Sequence, residues 1–287
     1  MRIQGMKAVV FGGRTGLLGQ ALSARLKEEG ADVLALSSED VDVLDQAAVA
    51  GILDDFRPDA VFNAVAYTQV DGAEDEEEKA FALNATVPPL LAAQVSRFNA
   101  LFIHFSTDFV FKGNANMPYL ETDRPGAVSV YGISKAAGEQ GLLDLDYEHT
   151  LIVRVAWLFG PGKMNFVQRI LELAADRDQL RVVADQTGSP SYTPDIAENT
   201  LRLVENDATG VYHLTNTGTA TWHDLASAAV GMAGIECEVE PIPSSEWPTR
   251  AVRPAYSVLD TSRFTEKTGV TPRHWREALR EYLEKLG

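Results

Sequence analysis

Short apolar runs alternate with amphipathic stretches from the start of the chain, and that alternation marks repeated strand-helix-strand units around a parallel sheet. Lys7 to Phe11 reads as a buried strand, and the segment after it sets Leu18, Leu22 and Leu26 on one helical stripe. Asp32 to Leu36 predicts a second strand, Asp45 to Asp55 a helix, and Ala60 to Asn63 a third strand. A long helical region follows from about Asp75 to Phe98, interrupted at Pro88-Pro89, before Leu101 to Ser106 supplies a fourth strand. The helix carrying Tyr131 and Lys135 runs to about Leu143, and His149 to Val155 restores a strand with alternating Leu151, Val153 and Val155.

After Trp157 the texture changes. Gly160-Pro161-Gly162 reads as a loop, Asn165 to Asp176 as a helix, and Pro241, Pro243, Pro248 and Pro254 crowd a later loop before a final helix ending at Leu286. The expected fold class is α/β: a Rossmann-like doubly wound parallel sheet over residues 1–158, with a smaller, partly interleaved C-terminal portion over 159–287. Elements within 180–215 are expected to return to the sheet.

Composition narrows the partners. A net charge of −16 argues against a broad nucleic-acid surface, which relies on clustered Lys and Arg, yet leaves room for a local anion site at a helix N-terminus. No apolar run resembles a secretory segment or a bilayer span, so a cytoplasmic protein with no membrane partner is expected. The single cysteine, Cys237, excludes an internal disulfide framework and is expected as buried packing. The acidic run Asp71 to Glu78 reads as a solvated helix start that suits the positive end of the helix dipole. The histidines show no metal-ligand spacing, and no metal is expected.

The turn after the first strand carries Gly13, Gly16 and Gly19 at three-residue spacing, with Arg14, Thr15, Leu17 and Leu18 between them. Glycine permits a tight turn and close backbone approach to a pyrophosphate, and the following helix offers N–H donors and partial positive charge. The preceding strand and following helix are the context that makes this a dinucleotide site. The second strand ends Leu36-Ser37-Ser38 where a carboxylate would accept from an NAD ribose, and the nearest carboxylates are Glu39 and Asp40. Arg14 could pair with a 2′-phosphate, so NADPH is expected and NADH allowed; a plain surface arginine is the other reading. Asp45 either reaches the adenine amino group or caps its helix.

Tyr131 and Lys135 stand four residues apart on one helical face. The ammonium is expected to lower the phenol pKa from about 10 toward neutrality and make it a proton donor. Thr107, at the C-terminal end of the fourth strand, can donate to a substrate carbonyl oxygen while Tyr131 delivers the proton and a nicotinamide delivers hydride.

With these residues together, the chain resembles the extended short-chain dehydrogenase/reductases, and within them the dTDP-4-dehydrorhamnose reductase family. The resemblance spans nearly the whole chain. It rests on Asn63-Ala-Val-Ala-Tyr67, Asn84-Ala, Ser106-Thr107-Asp108-Phe109, Arg154-Val-Ala-Trp157, Asn165-Phe166 and Arg253-Pro254. It implies NADPH-dependent reduction of the 4-keto group of dTDP-4-dehydro-6-deoxy-L-mannose to dTDP-L-rhamnose, with Thr107, Tyr131 and Lys135 as the catalytic group. It implies further that Lys135 holds the nicotinamide ribose, that Ser37, Ala64, Ala66, Tyr67 and Asn84 belong to the cofactor site, and that Asp108, Phe109, Trp157 and Asn165 belong to the sugar site beside Thr107. Trp157 could instead pack the sheet end and Asn165 cap its helix; Arg253 could serve the diphosphate or a structural salt bridge. Relatives that dimerise through a metal use a glutamate where this chain has Ala21, and a monomer or homodimer is expected.

Other readings belong to the same fold: a reductase or epimerase of another nucleotide deoxysugar, or a noncatalytic NADP-binding regulatory subunit. A dehydratase is disfavoured because Phe109 stands where a second carboxylate would be needed.

Overall fold

The computed structural model describes residues 1–286. Five strands form early: β1 (Lys7–Phe11), β2 (Asp32–Leu36), β3 (Ala60–Asn63), β4 (Leu101–Thr107) and β5 (Thr150–Val155). With the later strand Gly210–His213 they make a six-stranded sheet in which β1 lies between β2 and β3, followed by β4, β5 and the late strand. Every pairing in it is parallel. A fully parallel sheet needs cover on both faces, which explains why β3, β4 and β5 are buried at every position.

Helices α1 (Leu17–Glu28), α2 (Gln46–Phe56), α3 (Val70–Ala73), α4 (Glu77–Phe81), α5 (Val87–Ser96) and α6 (Val130–Asp144) accompany the first half. Leu22 and Leu26 of α1 are fully buried in the core on one face of the sheet; a leucine taken wholly out of water contributes about 1.5–3 kcal/mol. Val49, Leu53, Leu91 and Val95, from α2 and α5, fill the other face. The prolines do not interrupt the long helical region. A π-helical turn, Ala82–Thr86, comes first, and Pro88 and Pro89 occupy the first turn of α5, where a missing N–H leaves no helical bond unmade. The π turn carries Asn84 inward to full burial.

The second half holds α7 (Phe166–Ala175), α8 (Thr193–Glu205), α9 (Trp222–Met232), α10 (Ser262–Thr268) and α11 (Trp275–Leu286). Within 180–215, α8 buries Ile196 and Leu201 in the same core as α1, and the strand Gly210–His213 joins β5. The strand Gln179–Val183 does not return. It pairs with Glu238–Ile242 in a separate ribbon. A smaller core of Phe159, Val167, Leu225, Trp275 and Tyr282 holds α7, α9 and α11 together. Cys237 is only partly buried, at the margin of an apolar cluster, because it lies in the exposed turn before that ribbon strand.

The acidic run is more than a solvated helix start. Asp71 and Asp75 pair with Arg253 and Arg250 from the far end of the chain, Glu74 accepts from Val130 N and Glu76 from the Tyr67 hydroxyl. The two aspartate–arginine pairs tie the first half to the C-terminal loop. No helix among the described residues is long and apolar enough to cross a membrane.

Candidate active site

The chain runs from β1 to β2 on one side and then to β3 on the other, so a crevice opens at the C-terminal ends of β1 and β3. The glycine turn lies there. A Cβ on Gly19 would stand 2.1 Å from the Gly12 carbonyl oxygen, so only glycine lets the start of α1 pack this tightly on the turn. No side chain caps α1 at Gly16, which leaves the helix's partial positive charge for an anion. Gly16, Leu17 and Leu18 line a cavity of about 500 Å³, and Thr15, Gly16 and Ser37 line a second of about 510 Å³. Ala64 and Ala66 border both. This cradle fits a dinucleotide lying across the crevice.

The far wall of the first cavity is formed by Thr107, Asp108, Phe109, Tyr131 and Lys135. Thr107 is the last residue of β4, and its hydroxyl donates to Asp108 Oδ1 at 3.0 Å. Ser129 caps α6 by accepting from Gly132 N, which fixes the turn that presents Tyr131. The Tyr131 ring stands edge-on to Phe109, centroids 5.5 Å apart. Lys135 is 1% exposed; its Nζ lies 2.6 Å from the Phe105 carbonyl oxygen and 3.1 Å from His104 Nε2.

Sharing a helical face does not acidify the phenol here. Burial pushes Tyr131 up to about 12, against the Thr107 hydroxyl and with the Asp108 charge adding to the rise. Lys135 cannot lower it because its amine is turned to Phe105 and His104. Burial depresses Lys135 itself to about 8, opposed by the Glu139 carboxylate one turn on. Asp108 is pushed up to about 6 by burial, against the Ser257 and Thr107 hydroxyls.

Several expected residues lie elsewhere. Asp45 caps α2, accepting from Ala47 N and Ala48 N; Asp42 and Val43 line the second cavity in its place. Tyr67 and Asn84 are not among the lining residues. The Asn84 side chain exchanges hydrogen bonds with the Tyr67 backbone and donates to Ser134 Oγ, so the pair locks the chain after β3 onto α6. Asn165 caps α7 and donates to Tyr282. Gly13 and Gly19 shape the turn without lining either cavity. Arg14 pairs with Asp40, whose other oxygen accepts from Ser37 N and Oγ at the end of β2. That corner therefore does carry a carboxylate, beside the arginine rather than instead of it.

At the other end of the first cavity Trp157 stacks on Trp222, the first residue of α9. Trp157 holds a left-handed backbone, φ 46°, and a Cβ on Gly188 would come within 2.4 Å of its indole. A bulky residue held there is a strained conformation that its surroundings must enforce. Arg253 lines this cavity while its guanidinium grips both oxygens of Asp71, at 2.6 and 3.0 Å. Trp222 and Lys163 also line it, and Lys163 borders the second cavity too. Neither carried a local signal: no motif surrounds them, and chain folding alone brings them in. Val41 and Val43 did alternate after β2, a pattern that could have placed them.

A phenol and a hydroxyl on one wall can together offer protons to a carbonyl oxygen, and the uncapped helix start opposite can hold phosphate. A family model described as the RmlD substrate binding domain matches residues 6–287. The chain is 39% identical over 280 residues to the spore coat polysaccharide biosynthesis protein SpsK of Bacillus subtilis, covering 98% of each. It is 41% identical to a dTDP-4-dehydrorhamnose reductase of Streptomyces griseus, over 96% of this chain and 92% of the relative. The solved dTDP-4-dehydrorhamnose reductase of Bacillus anthracis in complex with NADP superposes with a TM-score of 0.95 at 30% identity, covering 98% of this chain and 100% of that one. Shared sequence along the full length, shared fold and a matching family model lead to one conclusion: this chain belongs to the dTDP-4-dehydrorhamnose reductase family of oxidoreductases.

Proposed function

We propose that this protein is a cytoplasmic enzyme that uses NADPH to reduce the 4-keto group of dTDP-4-dehydro-6-deoxy-L-mannose, giving dTDP-L-rhamnose. The observation that carries the reading is the continuity of the first cavity from the uncapped start of α1 to Thr107 and Tyr131. The NADP bound by the Bacillus anthracis relative supports the choice of cofactor.

Leu17 and Leu18 would hold the pyrophosphate by backbone N–H groups at the start of α1, while Ser37, Asp42 and Val43 would border the adenosine end. Arg14, now on Asp40, would turn to pair with a 2′-phosphate. The nicotinamide, when bound, supplies hydride to the keto carbon. Thr107, its hydroxyl turned from Asp108, would donate a hydrogen bond to the keto oxygen, and Tyr131 would transfer its phenolic proton to it. A phenol held near 12 stays protonated throughout the neutral range, and the lysine ammonium, once turned to the ribose, eases the proton's departure. Trp157 and Trp222 offer an apolar face to the deoxysugar, and Asp108 accepts from a ring hydroxyl.

The test is NADPH oxidation with the keto sugar generated by coupled upstream enzymes. Tyr131→Phe is expected to abolish turnover while retaining NADPH binding. Undiminished turnover in that variant, or stoichiometric NAD carried by the purified protein with no net NADPH consumption, sinks the assignment.

A further inference from the structure

His104 is fully buried and takes no part in the chemistry above, yet it touches Lys135 directly. Asn63 and His104 are register partners on the adjacent strands β3 and β4, so their side chains meet on one face of the sheet. The Asn63 amide nitrogen lies 3.1 Å from His104 Nδ1, and Asn63 Oδ1 accepts from the Val65 backbone N–H at 3.2 Å.

That backbone donor settles the direction of the whole chain. A backbone N–H can only donate, so Asn63 must present its oxygen to Val65 and its NH2 to the imidazole. Nδ1 is then the acceptor. Burial above all drives the His104 pKa well below its ordinary value, so the ring is neutral and, with Nδ1 accepting, carries its one proton on Nε2. That N–H points at Lys135 Nζ. An ammonium has three donors and no acceptor, whereas a neutral amine can accept from Nε2 and still donate to the Phe105 carbonyl.

We propose that the Val65–Asn63–His104 chain is a one-way hydrogen-bond device that parks Lys135 as a neutral amine on the Phe105 carbonyl, and that the lysine takes up a proton from solvent when a bound dinucleotide offers it hydroxyl acceptors. His104 is thus a positioning residue acting through Lys135. The inference rests on the cofactor reading above for its second half only. Among the described residues the titratable groups acting on the amine are His104 of β4 and Glu139 of α6, and Asp108 and Tyr131 line the same cavity. Glu139 is already neutralised by Arg154 of β5 through a buried two-pronged salt bridge, so it does not force Lys135 to stay charged. The proton balance is simple: one proton leaves solvent, one N–H bond forms on Nζ, and Nε2–H loses its acceptor as the lysine turns away.

Two measurements on the whole protein test this. Long-range ¹⁵N–¹H correlations read the His104 tautomer without any ligand; at about pH 9, above the parked lysine's value of about 8, the expected result is a proton on Nε2 and a bare Nδ1. Calorimetric titration with NADPH at about pH 9, in buffers of different ionisation enthalpy, reads proton uptake. That pH lies between the parked lysine's value of about 8 and lysine's ordinary value of about 10.4. About one proton should be taken up per dinucleotide bound, and none in Lys135→Met. Asn63→Asp keeps the acceptor for Val65 but draws the imidazole proton to Nδ1; it should reverse the tautomer, raise the Lys135 midpoint by about one unit and diminish the uptake. A wild-type proton on Nδ1, or NADPH binding without proton uptake, overturns the proposal. Failure of NADPH to bind at all would count against the cofactor reading instead, and the tautomer measurement would still decide the direction of the chain.

Discussion

The indole rings of Trp157 and Trp222 lie face to face, centroids 3.5 Å apart and 2° from parallel. One comes from the segment after β5 and the other from the start of α9, whose first turn is held by a Thr221–Asp224 capping box. The stack therefore joins the sheet half to the C-terminal half at the mouth of the cavity. Trp222→Ala is expected to raise KM for the sugar nucleotide about tenfold, the loss of about 1.4 kcal/mol, with NADPH affinity unchanged. Steady-state kinetics with each substrate varied in turn checks it; an equal loss for both would place the stack outside the sugar site.

Arg14 stands beside Ser37 at the end of β2, engaged with Asp40. Arg14→Ala should weaken NADPH about tenfold and leave NADH nearly untouched, because only the former presents a 2′-phosphate to a guanidinium. Asp40→Asn, which releases the arginine, should shift preference further toward NADPH. Equal effects on the two dinucleotides would assign Arg14 to the surface.

The Arg154–Glu139 pair is buried on both sides, 4% and 3% exposed, and its arginine also meets His213 Nε2 at 3.2 Å. Removing one partner strands a charge where water cannot reach it. Arg154→Met should cost about 3–5 kcal/mol of folding stability, whereas exposed Lys285–Glu281 should contribute at most about 1 kcal/mol. Denaturant unfolding of Arg154→Met and Lys285→Met separates the two cases.

Asp108 is a buried carboxyl whose folded value, about 6, lies above its ordinary 3.8. Below 3.8 both states are protonated and the group is neutral to stability; stability falls as pH rises from there through about 6, then levels off. The shift corresponds to about 3 kcal/mol lost at neutral pH, an order-of-magnitude figure. Asp108→Asn should therefore unfold at higher denaturant than the parent at pH 7, converge with it at pH 4, and bind the sugar nucleotide more weakly. A destabilised Asp108→Asn at pH 7 would show that the carboxylate is better partnered than its burial implies.

The regular strands were legible because a parallel sheet demands continuous apolar runs, and the glycine spacing after β1 was legible because no other residue permits that turn. The Thr107, Tyr131 and Lys135 set could be read from strand-end and helical spacing, and the structure brings all three to one cavity. Asp45 and Asn165 each fitted two roles in one dimension, and the neighbouring backbone N–H groups chose capping for both. Tyr67 and Asn84 matched family strings, whereas their bonds to Glu76, Ser134 and each other are set by chain folding.

Amino-acid order alone determined the local periodicities, the tight turn and the shared helical face of phenol and amine, since these depend on residues a few positions apart. Protonation was decided only by the tertiary structure: the phenol rises to about 12 and the amine falls to about 8 because distant segments exclude water from them. The same holds for the Trp157–Trp222 stack and the Asp71–Arg253 clamp, whose partners are far apart in the chain and meet only when the two halves close. Charge and recognition here depend on what surrounds a side chain in three dimensions, and sequence spacing does not record that.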